Sequence, residues 1–433
     1  MTIPVTTGKF SQNGERKCTK QFGLNALKSP LHAIPIGKKE EGVMVMWNRA
    51  STELRRTCKR WFSSESTRRT YAALWGNGDF GRLGLGNLDS QWRPRLLPSS
   101  AFGNQGLNSI ACGGAHTLFL TETGRVYATG LNDFGQLGIS GNYAYTMEPI
   151  EVSGIKKEVV QISAGYHHSC AITVDGELYM WGRNSNGQLG LGKKRQSVVL
   201  LPTKVEWLSG LAIKKVALAS EHSIAVTDGG EALSWGGGGS GQLGHGNRSS
   251  ILGFLRSTSE YTPRRITKLE GVKSFGEKNN AATPFMIAEF PWSKEVACGG
   301  YHTCVVTGGG ELYSWGSNEN GCLGIGSTSA FHLPERVEGP FLRSPVEQVS
   351  CGWKHTAAIS EGKIYTWGWG GANGTFSENG HSSGGQLGHG SDVDYRSPAL
   401  VTFEKNLKAL QVSCGFNHTG AILESAETEA ILF

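Results

Sequence analysis

Apolar residues along this chain come in short runs that are rich in β-branched and aromatic side chains. Two such runs, Cys298-Gly-Gly-Tyr-His-Thr-Cys-Val-Val and Glu311-Leu-Tyr-Ser-Trp, are separated by the turn-forming Gly308-Gly-Gly. Asp175-Gly176 and Asp228-Gly229 stand at the same place in other parts of the chain, and Asp-Gly is a favoured hairpin dipeptide. The pattern predicts short antiparallel strands joined by tight turns, and therefore an all-β fold.

One phrase within this pattern, Gly-x-x-His-Ser/Thr, recurs along the chain. In the third copy Ser220 replaces the glycine. The phrase is centred on His116, His168, His222, His302, His355 and His418.

A second phrase, ideally Trp-Gly-x-Asn-x-x-Gly-Gln-Leu-Gly, alternates with the first. It begins at Trp75, Thr129, Trp181, Trp235, Trp315 and Trp367, with threonine replacing the tryptophan in one copy. From each of the first five histidines to the glycine of the next phrase the distance is 14, 14, 14, 14 and 13 residues. A unit that repeats at about fifty residues indicates a solenoid, a propeller or an array.

The two phrases are divided unequally between the ends of the chain. The repeat region opens with a Trp-Gly phrase at Trp75 and closes with a histidine phrase at His418. An open solenoid would end in polar caps, whereas two halves that complete each other suit a closed ring. We therefore expect a β-propeller that is closed by pairing of the N- and C-terminal strands, which removes exposed sheet edges.

The repeat resembles that of the regulator of chromosome condensation family, whose members are typically seven-bladed propellers. The resemblance covers Tyr71 to about Leu423. Six copies are one fewer than the family's usual count. The interval from His222 to His302 is 80 residues against 52 to 54 for its regular neighbours, and we interpret the excess, in 247–295, as insertions rather than a hidden blade. A degenerate seventh blade stays open as the alternative, and a second insertion is expected at 369–385.

The net charge of +6 is unevenly distributed. Residues 1–70 hold 14 Lys/Arg and 5 Asp/Glu, whereas the remaining 363 residues hold 28 and 31. A general phosphate-binding coat needs a basic surface, so direct RNA binding by the slightly acidic propeller is disfavoured. Local basic patches remain as an alternative, at Lys193-Lys194-Arg195, Lys214-Lys215 and Arg264-Arg265, although such short runs are usually solvated loop faces.

No catalytic, cofactor or metal site is predicted. The six repeat histidines would lie apart on a ring, so we expect them to make structural hydrogen bonds within each blade. Cys112, Cys298, Cys351 and Cys414 share one repeat position and are expected to be reduced, buried thiols. Gly187–Lys193 matches a nucleotide-binding loop, but Lys194 stands where such a loop needs Ser or Thr for magnesium. We therefore expect a protein without enzymatic activity.

The N-terminal region divides into two parts. Residues 46–70, rich in Arg/Lys and Ser/Thr, have the composition of a transit peptide, and Arg60-Trp-Phe predicts cleavage after Phe62. A disordered basic tail that binds an acidic partner is the alternative. Residues 1–45 fit neither interpretation, and either an upstream extension or a translation start at Met46 would explain them. The prediction is import into the mitochondrial matrix.

The resemblance and the predicted address together imply a function. The chain is similar to plant mitochondrial members of the family, which are associated with transcript maturation, intron splicing and ribosome assembly in support of respiratory complexes, including complex I. This implies a scaffold that binds protein, or protein and RNA, in organelle gene expression. Guanine-nucleotide exchange on a small GTPase, the founding activity of the family, is the alternative.

Partner contacts are expected in the two insertions, because loops on a regular scaffold vary freely and carry function. A disordered surface excursion is the competing interpretation of each. The candidate contact residues are Arg256, Tyr261, Arg264, Arg265, Trp369, Asn373 and His381.

Overall fold

A computed structural model describes residues 69–192, 196–239, 241–245, 259–266, 292–371, 384–403 and 407–425. The predicted transit peptide, most of the insertion at 247–295 and most of the loop at 369–385 lie outside these ranges. Among the described residues no helix is long and apolar enough to span a bilayer.

Strands dominate the described chain, and the helices are four short 3-10 turns at Asp79–Gly81, Ser99–Phe102, Glu206–Leu208 and Gly339–Leu342. The strands of the first half are β1 (Arg69–Gly76), β2 (Gln91–Leu96), β3 (Leu107–Cys112), β4 (His116–Thr121), β5 (Val126–Leu131), β6 (Tyr145–Glu151), β7 (Val159–Ala164), β8 (His168–Thr173), β9 (Leu178–Arg183), β10 (Val198–Lys204), β11 (Ile213–Leu218) and β12 (His222–Thr227). Those of the second half are β13 (Ala232–Gly236), β14 (Glu260–Arg265), β15 (Ser293–Cys298), β16 (His302–Thr307), β17 (Leu312–Gly316), β18 (Phe331–Arg336), β19 (Val346–Cys351), β20 (His355–Ser360), β21 (Lys363–Gly368), β22 (Tyr395–Leu400), β23 (Leu407–Cys414) and β24 (His418–Ser425).

The strands form six antiparallel four-stranded sheets, which are the blades of a β-propeller. Blade 1 combines the two ends of the chain in the order β23, β24, β1 and β2. Blades 2 to 6 follow the sequence as β3–β6, β7–β10, β11–β14, β15–β18 and β19–β22. The all-β propeller predicted from the repeats is confirmed.

The constant spacing between the two phrases has a simple origin in strand pairing. In every blade the repeat histidine begins the second strand and lies opposite the glycine of the Trp-Gly phrase on the third, as His168 does with Gly182. Blade 6 has a spacing of 13 because a two-residue turn, Glu361-Gly362, joins Ser360 to Lys363 with positive φ at both positions. That is the geometry of a tight hairpin turn.

Glycine is required opposite the histidine. Gly182 has φ +104, and a Cβ there would lie 2.5 Å from the carbonyl oxygen of His167. The predicted hairpin turn at Asp175-Gly176 is present, with φ +76 at Gly176, whereas in the next blade the positive φ, +83, falls on Gly230 rather than on Gly229. The turn in that blade is therefore displaced by one residue from the expected dipeptide.

Closure of the ring is the strongest single feature of the fold. β1 pairs with β24 without interruption from Arg69 opposite Ser425 to Gly76 opposite His418. Strands from opposite ends of the chain thus share one blade, as the divided phrases predict. Pairing of this kind also satisfies the backbone groups of both terminal strands.

The hydrophobic core lies between the blades rather than in one central mass. One cluster, for example, joins Leu118 and Ala128 of blade 2 to Ile162 and Trp181 of blade 3. The first strands of most neighbouring blades also contact one another, so these strands surround the axis of the ring. At five of the six junctions the blades bury their facing surfaces against each other, which is why single blades are not independent units.

Candidate partner-binding site

The repeat histidines link neighbouring blades. His116 Nε2 lies 2.8 Å from Ser169 Oγ in the next blade, and that hydroxyl donates to the carbonyl oxygen of Gln136 at 2.7 Å. The same chain of bonds joins His168 to Ser223, His302 to Thr356, His355 to Thr419 and His418 to Thr117. The expected bond within a blade is therefore wrong in one respect, because the partner hydroxyl belongs to the next blade.

These bonds fix the state of the imidazoles. Because the hydroxyl hydrogen is used on a carbonyl, the hydroxyl oxygen accepts a hydrogen from Nε2, which must be the protonated nitrogen. Nδ1 is then unprotonated, and it is buried without a partner in these five rings. Burial lowers the pKa of His116, His168 and His355 to about 3 each and that of His302 to about 4. Neutral, caged imidazoles of this kind are structural.

The tryptophans of the second phrase reinforce the same junctions. Trp181 Nε1 donates to the carbonyl oxygen of Gln136 in the preceding blade at 2.9 Å, and Trp235 does the same to Gln188 at 2.8 Å. Thr129, which replaces a tryptophan, keeps the link through its hydroxyl, which donates to the carbonyl oxygen of Gly81 at 2.9 Å. The two sequence phrases therefore encode blade-to-blade bonds rather than a reactive centre.

A cluster of aromatic rings forms where the loops that precede the histidines converge. Trp353 stacks on Phe416 with ring centroids 4.2 Å apart, and Tyr166 meets Phe416 edge-on at 5.1 Å. His167 contacts both Tyr166 and Phe134. We call this set, Phe134, Tyr166, His167, Trp353 and Phe416, the aromatic face.

The loop backbones hold the rings of the aromatic face together. Phe416 N donates to the carbonyl oxygen of Gly113 at 3.1 Å, and Tyr166 N donates to that of Ala219 at 3.2 Å. Tyr166 is exposed, and the other four rings are half-buried. Rings held by neighbouring backbone but open to solvent suit protein recognition, because they offer apolar area at little cost in conformational entropy.

Cationic groups border the aromatic face. Lys354 Nζ lies 4.9 Å from the centre of the Trp353 ring, and the Arg183 guanidinium lies 5.3 Å from that of Phe134. Lys354 also approaches Glu319 at 3.8 Å, and Glu319 is largely exposed, so this ion pair is weak. Arg82 is buried, which lowers its pKa to about 10, and its Nε donates a hydrogen bond to the carbonyl oxygen of Asp79. Burial also lowers the pKa of His167.

The candidate residues from the insertions occupy different places. Tyr261, Arg264 and Arg265 lie on β14, the outermost strand of blade 4. Arg264 pairs with Glu260 at 2.7 Å and Arg265 with Glu231 at 2.8 Å. No described contact joins any of these three to the aromatic face, and their role in binding stays a prediction.

Among the candidate residues that the structure describes, Trp369 reaches the aromatic face. It is buried and meets Trp353 edge-on, with ring centroids 6.1 Å apart. Arg256, Asn373 and His381 lie outside the described residues. The sequence did carry a signal for the aromatic face, because Tyr166, Trp353 and Phe416 all fill variable positions of the Gly-x-x-His phrase.

The thiols offer little chemistry. Cys112 and Cys414 are buried as expected, Cys351 is half-buried and Cys298 is exposed, so the expectation for Cys298 is wrong. Among the described residues, one group of ligand-type side chains, His302, Cys304 and Cys351, brings its atoms within 4.8 Å of one another. Burial raises the pKa of Cys351 well above its ordinary value, and His302 Nε2 already bonds Thr356.

Sequence comparisons place this architecture among known proteins. The chain is 36% identical over 353 residues to the ultraviolet-B receptor UVR8 of Arabidopsis thaliana, covering 81% of this chain and 70% of that protein. It is 32% identical over 383 residues to the human probable E3 ubiquitin-protein ligase HERC4, covering 76% of this chain but 32% of the ligase. The chain thus spans about a third of the HERC4 relatives.

Solved structures show the same fold. Prp20p from Saccharomyces cerevisiae, described with its binding properties to Gsp1p and histones, has a TM-score of 0.67 at 23% identity, covering 82% of this chain and 92% of that one. Human WBSCR16 has a TM-score of 0.53 at 22% identity, covering 82% and 100%.

Family models cover the described blades. An RCC1-like domain matches residues 66–276, and regulator of chromosome condensation (RCC1) repeats match residues 294–322, 309–359 and 380–422. The chain therefore belongs to the family of propellers built from regulator of chromosome condensation repeats.

Proposed function

We propose that this protein is a non-enzymatic scaffold that binds protein partners through the aromatic face. The observation that carries the proposal is the convergence of loops from several blades into one bordered set of partly exposed rings. Interface hot spots are enriched in Trp, Tyr and Arg, and the aromatic face with its border supplies all three. Five of the six repeat histidines, in contrast, are committed to structural bonds.

The proposed setting is the mitochondrial matrix, in transcript maturation and intron splicing that support respiratory complex I. The support is the transit-like composition of 46–70 together with the resemblance to plant mitochondrial members. Partners in a ribonucleoprotein or a ribosome-assembly complex fit this setting. The slightly acidic propeller favours contact with the protein component over direct contact with RNA.

Affinity capture from mitochondria tests the scaffold directly. The full chain and its Tyr166→Ala variant are compared by quantitative mass spectrometry, with and without ribonuclease. Because Tyr166 is exposed, its replacement should leave the ring folded. The amount of each captured partner should fall at least about tenfold. Trp207→Ala, at an exposed tryptophan on the 3-10 turn of blade 3, is the matched control and should keep every partner.

Other outcomes would change the conclusion. Equal capture by wild type and Tyr166→Ala would remove the aromatic face from the proposal, and partners lost only with ribonuclease would point to RNA as the contact. A small GTPase whose nucleotide release is accelerated by the pure chain would favour the exchange-factor alternative. A fluorescent fusion that starts at Met46 tests the address, and exclusion from mitochondria would contradict it.

A further inference from the structure

One of the six blade junctions is built differently from the other five. Elsewhere the second strand of a blade packs on the first strand of the next, as β4 does on β7 and β20 on β23. Between blades 4 and 5, the described parts of β12 and β15 make no comparable contact. We call this place the open junction and define it by His222, Ile224 and Val226 on one side and Trp292, Val296 and Cys298 on the other.

Side-chain exposure shows the difference most directly. Val296 is 58% exposed, whereas the residues at its position in the other blades are at most 5% exposed. Those residues are Ile110, Ile162, Val216, Val349 and Val412. Trp292 is 77% exposed, and Ile224 and Val226 are half-buried on a strand whose counterparts β4, β8 and β20 are buried throughout. Apolar groups that are core elsewhere here meet solvent.

The bonds that connect the other blades are also absent. His222 has the position of the five bonded histidines, but within the described chain its ring makes no hydrogen bond to Thr303, the equivalent hydroxyl residue of blade 5. His222 is only half-buried. Blade 4 therefore keeps the imidazole that makes the interblade hydrogen bond elsewhere, but no hydroxyl in the described part of blade 5 is in place to accept it.

The sequence also differs at this junction. At three of the closed junctions a side chain on the first strand accepts a hydrogen bond from the next blade's backbone, as Gln348 does from Val412 N at 2.8 Å and Glu295 from Val349 N at 3.2 Å. The equivalent residue of blade 4 is Lys215, which has no acceptor. Ser293 also stands where other blades bury an aliphatic residue such as Val346.

The repeat phrases point to a missing unit at this place. In four blades the spacing Gly-x7-Pro-x2-aliphatic leads into the outermost strand and past it, as Gly326, Pro334 and Val337 do in blade 5. The same spacing occurs once more at Gly276, Pro284 and Ile287, with no histidine phrase or Trp-Gly phrase of its own before it. The shorter pattern Pro-x2-aliphatic ends the outermost strand in all six blades, including Pro202 and Val205 in blade 3 and Pro263 and Ile266 in blade 4. With Pro284 and Ile287 the sequence contains seven copies of it for six blades.

We propose that the open junction is a docking site for a β-sheet unit of the same repeat type, supplied by a different protein. The five closed junctions show what each face binds. Val296 and Cys298 receive the second strand of a preceding blade, and His222 and Ile224 receive the first strand of a following one. An occupant must therefore carry aliphatic side chains on both faces and a Ser or Thr hydroxyl opposite His222. Burying the exposed apolar groups drives its binding.

Alkylation of Cys298 in the full chain tests the proposal. Cys298 is exposed and most other described cysteines are buried, so site-resolved mass spectrometry should show it reacting with maleimide at least about tenfold faster than Cys414. The probe is a peptide of residues 159–190 of this same chain, with Cys170→Ala, which spans β7, β8 and β9. Saturating peptide should slow alkylation of Cys298 at least about tenfold.

Two protein variants control the peptide experiment. Val296→Asp places a charge in the docking face and should abolish protection by the peptide. Val174→Asp changes an equally exposed valine on the β8–β9 hairpin and should leave protection intact. A peptide in which Ile162 and His168 are both replaced by alanine should fail to protect Cys298 from alkylation.

An insertion variant of the chain itself provides a second test, which does not require the isolated peptide to fold. Residues 159–190 inserted between Ser274 and Phe275 restore the order of phrases, because Leu189-Gly190 would then be followed by Phe275-Gly276. The insertion should protect Cys298 and raise Tm. Failure of both peptide and insertion overturns the proposal. If Cys298 is unreactive in the chain alone, the chain's own residues cover the open junction, and the proposal is overturned. If Cys298 is protected only in a dimer, a second copy of the chain is the occupant, and the proposal is overturned as well.

Discussion

At the residue scale, one histidine and one hydroxyl are responsible for each closed junction. His355 Nε2 donates to Thr419 Oγ1 across 3.0 Å, and Thr419 in turn donates to the carbonyl oxygen of Gln386. Both side chains are fully buried, so loss of either partner leaves a polar group without water or protein to bond. His222 occupies the same repeat position without such a bond and provides an internal comparison.

We expect His355→Ala to lower the free energy of unfolding by about 2 kcal/mol, because Thr419 would lose a buried donor and a small cavity would form. His222→Ala should cost under about 1 kcal/mol, since its ring is half-buried and unbonded. Urea titration followed by tryptophan fluorescence measures both. Equal losses in the two variants would contradict the structural role of the interblade bond.

Stability should also depend on pH through these histidines. Their pKa values are lowered by burial to about 3 for His355 and about 4 for His302, so the unfolded chain takes up protons below about pH 6.5 before the folded chain does. Unfolding free energy should therefore fall as pH drops from about 6.5 towards 4, by up to about 1.4 kcal/mol per pH unit for each histidine. Urea midpoints at pH 8, 7, 6 and 5 test this.

The pH effect has a specific control. In His355→Ala the fall in stability between pH 6.5 and 5 should be shallower than in wild type, because one group that titrates differently in the two states has been removed. His222 is less buried, so His222→Ala should change the slope less. A stability that stays flat down to pH 5 would be incompatible with neutral buried imidazoles.

At the scale of elements, the blade is held by strand pairing and the ring by one mixed blade. β24 pairs with β1 on one side and with β23 on the other, so removing it leaves two strands unpaired at once. The constant phrase spacing and the division of the two phrases between the chain ends predicted the repeated blades and the pairing of the terminal strands from sequence. The one-residue-shorter spacing in blade 6 also has a local cause, the two-residue turn at Glu361-Gly362.

Truncation tests the closing blade. A chain that ends at Asn417 lacks β24 and should lose cooperative thermal unfolding, because β1 and β23 would become exposed edges. A chain that ends at Ser425 keeps the whole β1–β24 ladder and should retain a Tm close to that of the full chain. Circular dichroism melting separates the two, and a cooperative transition in the shorter chain would argue against closure as a source of stability.

At the scale of the whole molecule, five blade junctions are alike and one is different. Five junctions repeat the same bonds, whereas the open junction exposes apolar groups of β15 and half-exposes those of β12. Local opening needs least free energy where few buried contacts hold the backbone. The two blades that flank the open junction should therefore open locally more often than the other blades.

Hydrogen exchange measures this directly. Amides of β12 and β15 should exchange at least about tenfold faster than those of β8 and β19, which have the same positions at closed junctions. The insertion of residues 159–190 described above should slow exchange in β12 and β15 and leave β8 unchanged. Uniform protection around the ring would show that the open junction does not weaken its neighbours.

The sequence by itself determined the strands, the six repeats and the pairing of the two terminal strands, because those depend on spacings within and between repeats. The tertiary structure decided which side chains meet. His418 and Thr117 bond across 301 residues of sequence, and Trp353, Tyr166 and Phe416 come from three different blades. The periodicity of the sequence specifies how each repeat folds. The contacts between blades depend on the curvature of the ring, which the sequence of a single repeat does not specify. The sequence carried a signal for the aromatic face and for the open junction, but only the tertiary structure showed which side chains meet at the first and which are left exposed at the second.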